Sequence, residues 1–165
     1  MRDVTRCAIG DHEAIATLSK EETNMDIEKK FTMRDKDGLT PLHVAARYGN
    51  MKEIKALIEA EANIKAEYGD GYTPLHEAAS NGTAETVKAL IDAGANIKAQ
   101  DGSGWTPLHW AAHDGTAETV EALIDRGAEM RARTKDGKLP AGLAEDNEAV
   151  HNHPVFQKLN AQRYE

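Results

Sequence analysis

Histidine is the residue type in this sequence best suited to catalysis or metal binding, and the chain has seven of them. His109 and His113 lie four residues apart, a spacing that places two imidazoles on one face of a helix and can hold Zn²⁺. Trp, Ala and Ala stand between them, so the glutamate of a zinc-protease helix is missing. His151 and His153 flank a single residue, with no third ligand in view. The histidines thus leave one alternative open, a metal site that uses His109 and His113.

The other reactive residue types do not form a catalytic set. Cys7 is the only cysteine, and a lone thiol in this setting favours a buried small side chain over a nucleophile. Glu85 and Glu118 fall at predicted helix starts, where a carboxylate interacts favourably with the helix dipole. The glycine-containing turns lack the Lys-Ser/Thr pair that would hold a nucleotide phosphate. We therefore expect no enzyme, no cofactor and no metal site.

Composition and charge restrict the classes of partner. Hydrophobic residues make up 40% of the 165 residues, which is enough for a folded core. The formal charge of −8 argues against nucleic acid or an anionic membrane surface as the main partner. No run of about 18 apolar residues is present, so nothing in the sequence predicts a membrane span. We expect a monomeric, cytoplasmic protein, and secretion as an effector stays open.

The elements that position the histidines belong to an internal repeat. Thr-Pro-Leu-His occurs at residues 40–43, 73–76 and 106–109, at steps of 33 residues. Glycines and aliphatic residues keep the same step in several other columns. Because many columns share one period, the chain is predicted to be a repeat protein.

Each repeat predicts two helices separated by a glycine. Threonine suits a helix N-cap and proline the first helical position, so a short helix is expected from about Pro41 to Tyr48, with Gly49 as its C′ residue. A second helix follows, with a cap at Asn50 and its equivalents and an apolar stripe at i, i+3 and i+4. Glycine ends this helix in the later repeats. Glu61 stands there in the first repeat, so we expect a less sharply defined end.

The repeat unit D-x-D-G-x-T-P-L-H-x-A-A, followed by G-x-x-E-x-V-x-A-L-I-x-A-G-A-N, resembles the ankyrin repeat. Three full units match it, at residues 35–67, 68–100 and 101–133. The resemblance implies an all-α ankyrin-repeat solenoid, an L-shaped stack of paired antiparallel helices with projecting β-turn fingers. It also implies that the motif histidines have a structural role, bridging the threonine hydroxyl and the backbone of the adjoining finger. The repeat style and the Leu-Ala-Glu-Asp-Asn-Glu segment are similar to bacterial ankyrin proteins.

The two ends depart from the pattern. Residues 1–34 are predicted to form a degenerate N-terminal capping repeat with about six extra residues before Asp35, and the charged insertion within 20–34 is expected to be solvated. Residues 134–165 are predicted to be a C-terminal capping repeat in which the motif threonine and histidine are replaced. After a loop containing Asn147 to Pro154, an apolar stripe is expected on the last helix, formed by Val155, Phe156 and Leu159.

Positions that differ between repeats are the candidates for function. In the resembling family these slots line the fingertips and the concave helix face, where partners bind. The candidate binding residues are Lys36, Leu39, Val44, Arg47, Tyr48, Tyr68, Tyr72, Glu77, Ser80, Asn81, Trp105, Trp110, His113 and Asp114. Five of the eight aromatic residues fall in these slots, and Trp and Tyr are frequent interface anchors.

The sequence predicts a non-catalytic module that binds a partner protein through its fingertips and concave helix face. Residues 67–99 carry five acids and two bases, and residues 100–133 carry six acids and three bases, so a basic patch on the partner is favoured. Two alternatives stay open. One is a self-associating scaffold that buries Trp105 and Trp110 against a second copy, and the other is the metal site at His109 and His113.

Overall fold

The computed structural model describes residues 33–163, and these form an all-helical stack. The described part contains nine helices in chain order: α1 Pro41–Arg47, α2 Met51–Glu59, α3 Pro74–Asn81, α4 Ala84–Asp92, α5 Pro107–Asp114, α6 Ala117–Asp125, α7 Pro140–Leu143, α8 Glu148–His151 and α9 Pro154–Ala161. The one β-bridge among these residues pairs Tyr68 with Tyr72 in an antiparallel sense. The predicted all-α class is confirmed. No helix in the described range is long and apolar enough to cross a membrane.

The predicted helix starts are confirmed. Thr40, Thr73 and Thr106 are extended N-cap residues, each followed by proline in the first turn. The second helix of each repeat starts after Asn50 or after the threonines at the equivalent positions. The Oδ1 atom of Asn50 accepts a hydrogen bond from the Glu53 N–H at 3.3 Å, which satisfies an orphan donor of the first turn.

The first helices of the three repeats end in two different ways. Helix α1 ends at Arg47, one residue earlier than expected. Gly49 has φ +66°, as expected for a C′ residue, but Gly82 and Gly115 have φ of −87° and −82°. At Gly82 a Cβ would lie 2.6 Å from the carbonyl oxygen of Ala46, so glycine is required there by close approach of the preceding repeat. One column of glycines therefore has two physical causes.

The end of α2 is as well defined as those of its equivalents, contrary to the expectation from Glu61. Helices α2, α4 and α6 have nine residues each and end at equivalent positions. Glu61 adopts the left-handed conformation, with φ +57°, that Gly94 and Gly127 adopt in the later repeats. The Ala62 N–H then donates to the Leu57 carbonyl at 2.9 Å. The terminal hydrogen bond is kept, although a non-glycine residue is strained there.

The core lies between helices of adjacent repeats. First helices pack on first helices (α1 on α3, α3 on α5), and α4 packs on both α2 and α6. One leucine per repeat is fully buried in the first helices, at Leu42, Leu75 and Leu108. Alanine pairs beside them, such as Ala45 and Ala46, allow the close approach of the neighbouring helix. Each buried leucine contributes about 1.5–3 kcal/mol relative to an exposed one, so the stack is stabilised repeat by repeat.

Residues 134–163 contain α7, α8 and α9, which pack against the helices of the third repeat. Val155, Phe156 and Leu159 are buried in α9, which confirms the predicted stripe. The loop expected after Asn147 contains the short helix α8, which corrects the prediction. The Nδ2 atom of Asn147 donates to the carbonyl of Gly115 at 2.9 Å, so this unit is tied to the third repeat. The predicted N-terminal unit lies outside the described residues apart from its last two positions, and so do Cys7 and most of the insertion.

Candidate interaction surface

The motif histidines connect each repeat to the turn of the next one. These turns, which we call fingers 1 to 4, are residues 35–39, 68–72, 101–105 and 134–138. In the first repeat, His43 Nδ1 lies 2.8 Å from Thr40 Oγ1, and His43 Nε2 lies 3.1 Å from the carbonyl oxygen of Tyr72 in finger 2. His76 and His109 make the same contacts with their own threonines and with fingers 3 and 4. The structural role implied by the resemblance is confirmed.

The hydrogen bonds also define the protonation state of these histidines. The Thr40 backbone N–H donates to Nδ1 of His43, so the ring proton lies on Nε2 and is donated to the next finger. Burial lowers the pKa of His43, His76 and His109 below the ordinary value, which keeps the three rings neutral.

The alternative of a metal site is not supported. His109 is fully buried, and both of its ring nitrogens are engaged, with Thr106 and with the Lys138 carbonyl. His113 Nδ1 lies 2.8 Å from the Asp114 carboxylate. No group of three or more His, Cys, Asp or Glu residues within 33–163 is arranged to hold a metal ion. Because His109 is committed to the fold, it offers no lone pair to a metal.

Glu77, which the sequence suggested as an acidic binding residue, forms an ion pair with Arg47 in which the carboxylate is buried. Glu77 on α3 is 1% exposed, and its carboxylate accepts two hydrogen bonds from Arg47, at 2.9 and 2.8 Å. The Tyr68 hydroxyl donates to the same carboxylate at 2.6 Å. Hydrogen bonding to Glu77 raises the pKa of Arg47, and burial together with Glu77 raises that of Tyr68 to about 12. These three candidate residues therefore join the first repeat to the second.

An aromatic cluster joins the second repeat to the third. We use this name for Tyr68, Tyr72, Trp105 and Trp110, all of which are half-buried. The rings of Tyr72 and Trp110 lie 5.2 Å apart in an edge-on arrangement, and those of Trp105 and Trp110 lie 4.6 Å apart. Trp110 Nε1 donates to Asp101 Oδ2 at 2.9 Å, and burial raises the pKa of Tyr72. The cluster presents only part of its aromatic area to solvent.

The remaining candidates divide into buried and exposed positions. Leu39, Glu77 and Ser80 are buried, so these three side chains are not available to a partner as the sequence suggested. The slot pattern of the sequence does not reveal this burial. Val44 and Arg47 are half-buried. The exposed candidates are Lys36, Tyr48, Asn81, His113 and Asp114.

Family models match most of the chain. A model described as ankyrin repeats (3 copies) matches residues 5–101, and one described as ankyrin repeats (many copies) matches residues 84–124. The chain belongs to the ankyrin-repeat family. Ankyrin repeats are generally non-catalytic and bind other proteins. No curated protein matches the chain.

A cleft between two fingers of this ankyrin stack was missed by sequence reasoning. It has a volume of about 230 Å³, and it is lined by Tyr68, Gly69, Asp70, Tyr72, Asp101, Gly102 and Ser103. Asp101 is held in place, because its Oδ1 accepts the N–H groups of Ser103 and Trp105. The signal in the sequence was the presence of glycine at equivalent positions of fingers 2 and 3, Gly69 and Gly102, because glycine places no side chain in this gap.

Proposed function

We propose that this ankyrin-repeat chain binds a partner protein through its first helices and fingers and carries out no chemistry of its own. The observation that carries the proposal is one column of exposed residues at equivalent positions, Tyr48, Asn81 and Asp114. They end or directly follow α1, α3 and α5, and yet they are an aromatic residue, an amide and an acid. The fold sets the position of these side chains and leaves their chemistry open.

The contrast with the buried columns supports this interpretation. The motif histidine is the same residue at all three positions, because it makes the same two contacts each time. Tyr48 is 61% exposed, although a large aromatic residue usually loses most of its exposed area on folding. An exposed tyrosine has the apolar area and the polar hydroxyl that interface anchors use.

The proposed surface contains the exposed and half-buried candidates. They are Lys36, Val44, Arg47, Tyr48, Tyr68, Tyr72, Asn81, Trp105, Trp110, His113 and Asp114. Three candidates, Leu39, Glu77 and Ser80, are buried. Glu77 hydrogen-bonds to Arg47 and Tyr68, and Ser80 to Tyr72. A monomeric cytoplasmic module of the bacterial type stays our prediction from the sequence.

The test is affinity capture with a variant that carries alanine at Tyr48, Asn81 and Asp114. These side chains are exposed, so we expect the variant to fold and to lose the partners recovered by the wild type. The matched control carries alanine at Lys55, Lys88 and Glu121, three exposed and equivalent positions on the second helices. Partners should be retained by the control. If both triple variants recover the same partners equally, the assignment of this face is wrong.

A further inference from the structure

The gaps between neighbouring fingers differ in one respect. Between fingers 1 and 2, Arg34 Nη1 donates to the Glu67 carbonyl at 2.5 Å while also donating to Gly38 of its own finger at 2.9 Å. Between fingers 3 and 4, Lys135 Nζ donates to the Gly102 carbonyl at 2.5 Å. A cationic side chain of the chain itself therefore bridges each outer gap.

Among residues 33–163, no cationic side chain stands at the equivalent positions of the middle gap. The position of Arg34 is taken in the second repeat by Glu67, whose carboxylate cannot donate a hydrogen bond. The position of Lys135 is taken in the third finger by Gly102, which has no side chain. The cleft of about 230 Å³ lies in this gap.

The lining of the cleft favours a positive charge. The rings of Tyr68 and Tyr72 lie 5.4 Å apart, and the acidic residues Asp70 and Asp101 also line the cleft. A guanidinium or ammonium group beside aromatic rings gains a cation–π interaction, and a carboxylate adds a charge-assisted hydrogen bond. Both flanking repeats carry excess acid, which would attract a basic segment and repel an acidic one.

We propose that the cleft between fingers 2 and 3 accepts one arginine or lysine side chain of a partner protein, in the role that Arg34 and Lys135 have in the outer gaps. This inference rests on the proposed function, because it names the chemistry of the partner at one point of the same surface. The bound cation is expected to contact the tyrosine rings and Asp70.

The probe for this site is the peptide acetyl-tetraarginine amide, titrated into the full chain at low salt and followed by calorimetry. The control peptide has citrulline at all four positions, since citrulline keeps the shape of arginine without its charge. We expect the arginine peptide to bind at least tenfold more tightly than the citrulline peptide. Three results would overturn the proposal. They are equal binding of the two peptides, no detectable binding of the arginine peptide, or calcium chloride competing as strongly as the arginine peptide binds.

Two pairs of variants locate the binding. Asp70→Asn should weaken the probe at least threefold, whereas Asp136→Asn, at the equivalent exposed position of finger 4, should leave its affinity unchanged. Glu67→Arg places an arginine at the position equivalent to Arg34 and should abolish binding by filling the gap. Glu85→Arg makes the same change of charge on the exposed side of α4 and should weaken the probe less than threefold. Equal effects within either pair would show non-specific attraction and overturn the site.

Failure of the cleft is distinguishable from failure of the proposed function. If the triple variant at Tyr48, Asn81 and Asp114 loses its partners while the arginine peptide does not bind, the binding face stands and the cleft is wrong. If the triple variant keeps all partners and the peptide also fails to bind, both are wrong. Thermal melts of Asp70→Asn and Glu67→Arg are the folding control. Melting temperatures that match the wild type show that a loss of binding does not come from unfolding.

Discussion

The junction between the first and second repeats and the junction between the second and third repeats share a backbone arrangement but differ in their side chains. At the first junction, the position on α3 is occupied by Glu77, whose buried carboxylate binds Arg47 and Tyr68. At the second, the equivalent position on α5 is occupied by Trp110, which packs on Tyr72 and binds Asp101 through its indole N–H. The same backbone arrangement therefore accommodates an ion pair at the first junction and an aromatic contact at the second.

This difference teaches that the scaffold and the junction side chains are specified separately. The contact of Gly82 with the Ala46 carbonyl recurs at Gly115 and Ala79, and the histidine bond to the next finger recurs at both junctions. These shared contacts set the spacing of the repeats. The junction side chains then fill the remaining space, and either chemistry suffices when its polar groups are satisfied.

The largest effect is expected from breaking the ion pair of the first junction. Arg47→Ala leaves the buried Glu77 carboxylate with the Tyr68 hydroxyl as its one side-chain donor among residues 33–163. We expect the free energy of unfolding to fall by about 2–3 kcal/mol, less than for a fully buried pair because Arg47 is 39% exposed. Urea denaturation measures the change. Replacing both Arg47 and Glu77 by leucine should restore at least half of it, and no difference between the single and double variants would contradict this account.

The second prediction tests what both junctions share. In Gly82→Ala the new Cβ would lie 2.6 Å from the Ala46 carbonyl oxygen, and the backbone cannot yield as a flexible side chain can. A loss of about 2 kcal/mol in the free energy of unfolding is expected. Gly94→Ala is the control, because Gly94 has open space around it and only its φ of +98° is strained by a side chain, at about 1 kcal/mol. Equal losses for the two variants would remove close approach as the cause.

The third prediction concerns the pH dependence common to all the histidine bonds. The folded-state pKa of His43, His76 and His109 is lowered, so the unfolded chain binds protons that the folded chain does not. Stability is therefore complete above about pH 6.5, the unfolded value, and falls as the pH decreases toward the folded values. Each histidine contributes a slope of up to about 1.4 kcal/mol per pH unit.

Chemical denaturation at pH 7.5, 6.5 and 5.5 measures this slope. His76→Gln should reduce it by about a third, since one of three linked protons is removed. His113→Gln alters an exposed histidine and serves as the matched control. A wild-type stability that stays constant over this range would contradict the neutral, buried state of the three rings.

The smallest effect is expected from relieving strain in the first repeat. Glu61 is the only non-glycine residue in 33–163 with positive φ, and it is exposed. Glu61→Gly should raise the free energy of unfolding by about 0.5–1 kcal/mol. The backbone strain that glycine relieves is larger than the stability lost through the greater conformational entropy of the unfolded chain. Glu59→Gly, two residues earlier within α2, should instead lower it by about 1 kcal/mol. A loss of stability in Glu61→Gly would show that its side chain makes a contact worth more than the strain.

The scaffold could be predicted from the sequence because its determinants are local. Thr40 caps a helix that Pro41 begins, and both effects depend on residues a few positions apart. The apolar stripe of Val155, Phe156 and Leu159 follows from helical spacing alone. Because the motif recurs every 33 residues, the same helix start is predicted independently in each of the three repeats.

The candidate surface was predicted only in part, because burial is decided by distant residues. Glutamate is usually a surface residue, and Glu77 is buried because Arg47 approaches it from α1 of the preceding repeat and Tyr68 from finger 2. The end of α2 was mispredicted because Glu61 adopts a left-handed conformation that its own preference opposes, and the terminal hydrogen bond from Ala62 to Leu57 is kept.

By itself, the sequence determined the repeat period and the helix starts, and its resemblance to the ankyrin repeat implied the family and the three histidine bonds. Those features depend on short-range capping, on helical periodicity and on a motif that recurs intact. Only the tertiary structure decided which variable positions reach solvent, which form the junctions, and that the gap between fingers 2 and 3 is an open cleft. The physical reason is that exposure depends on which side chains neighbouring repeats bring against a position, and residues about 30 positions apart in the chain make that choice together.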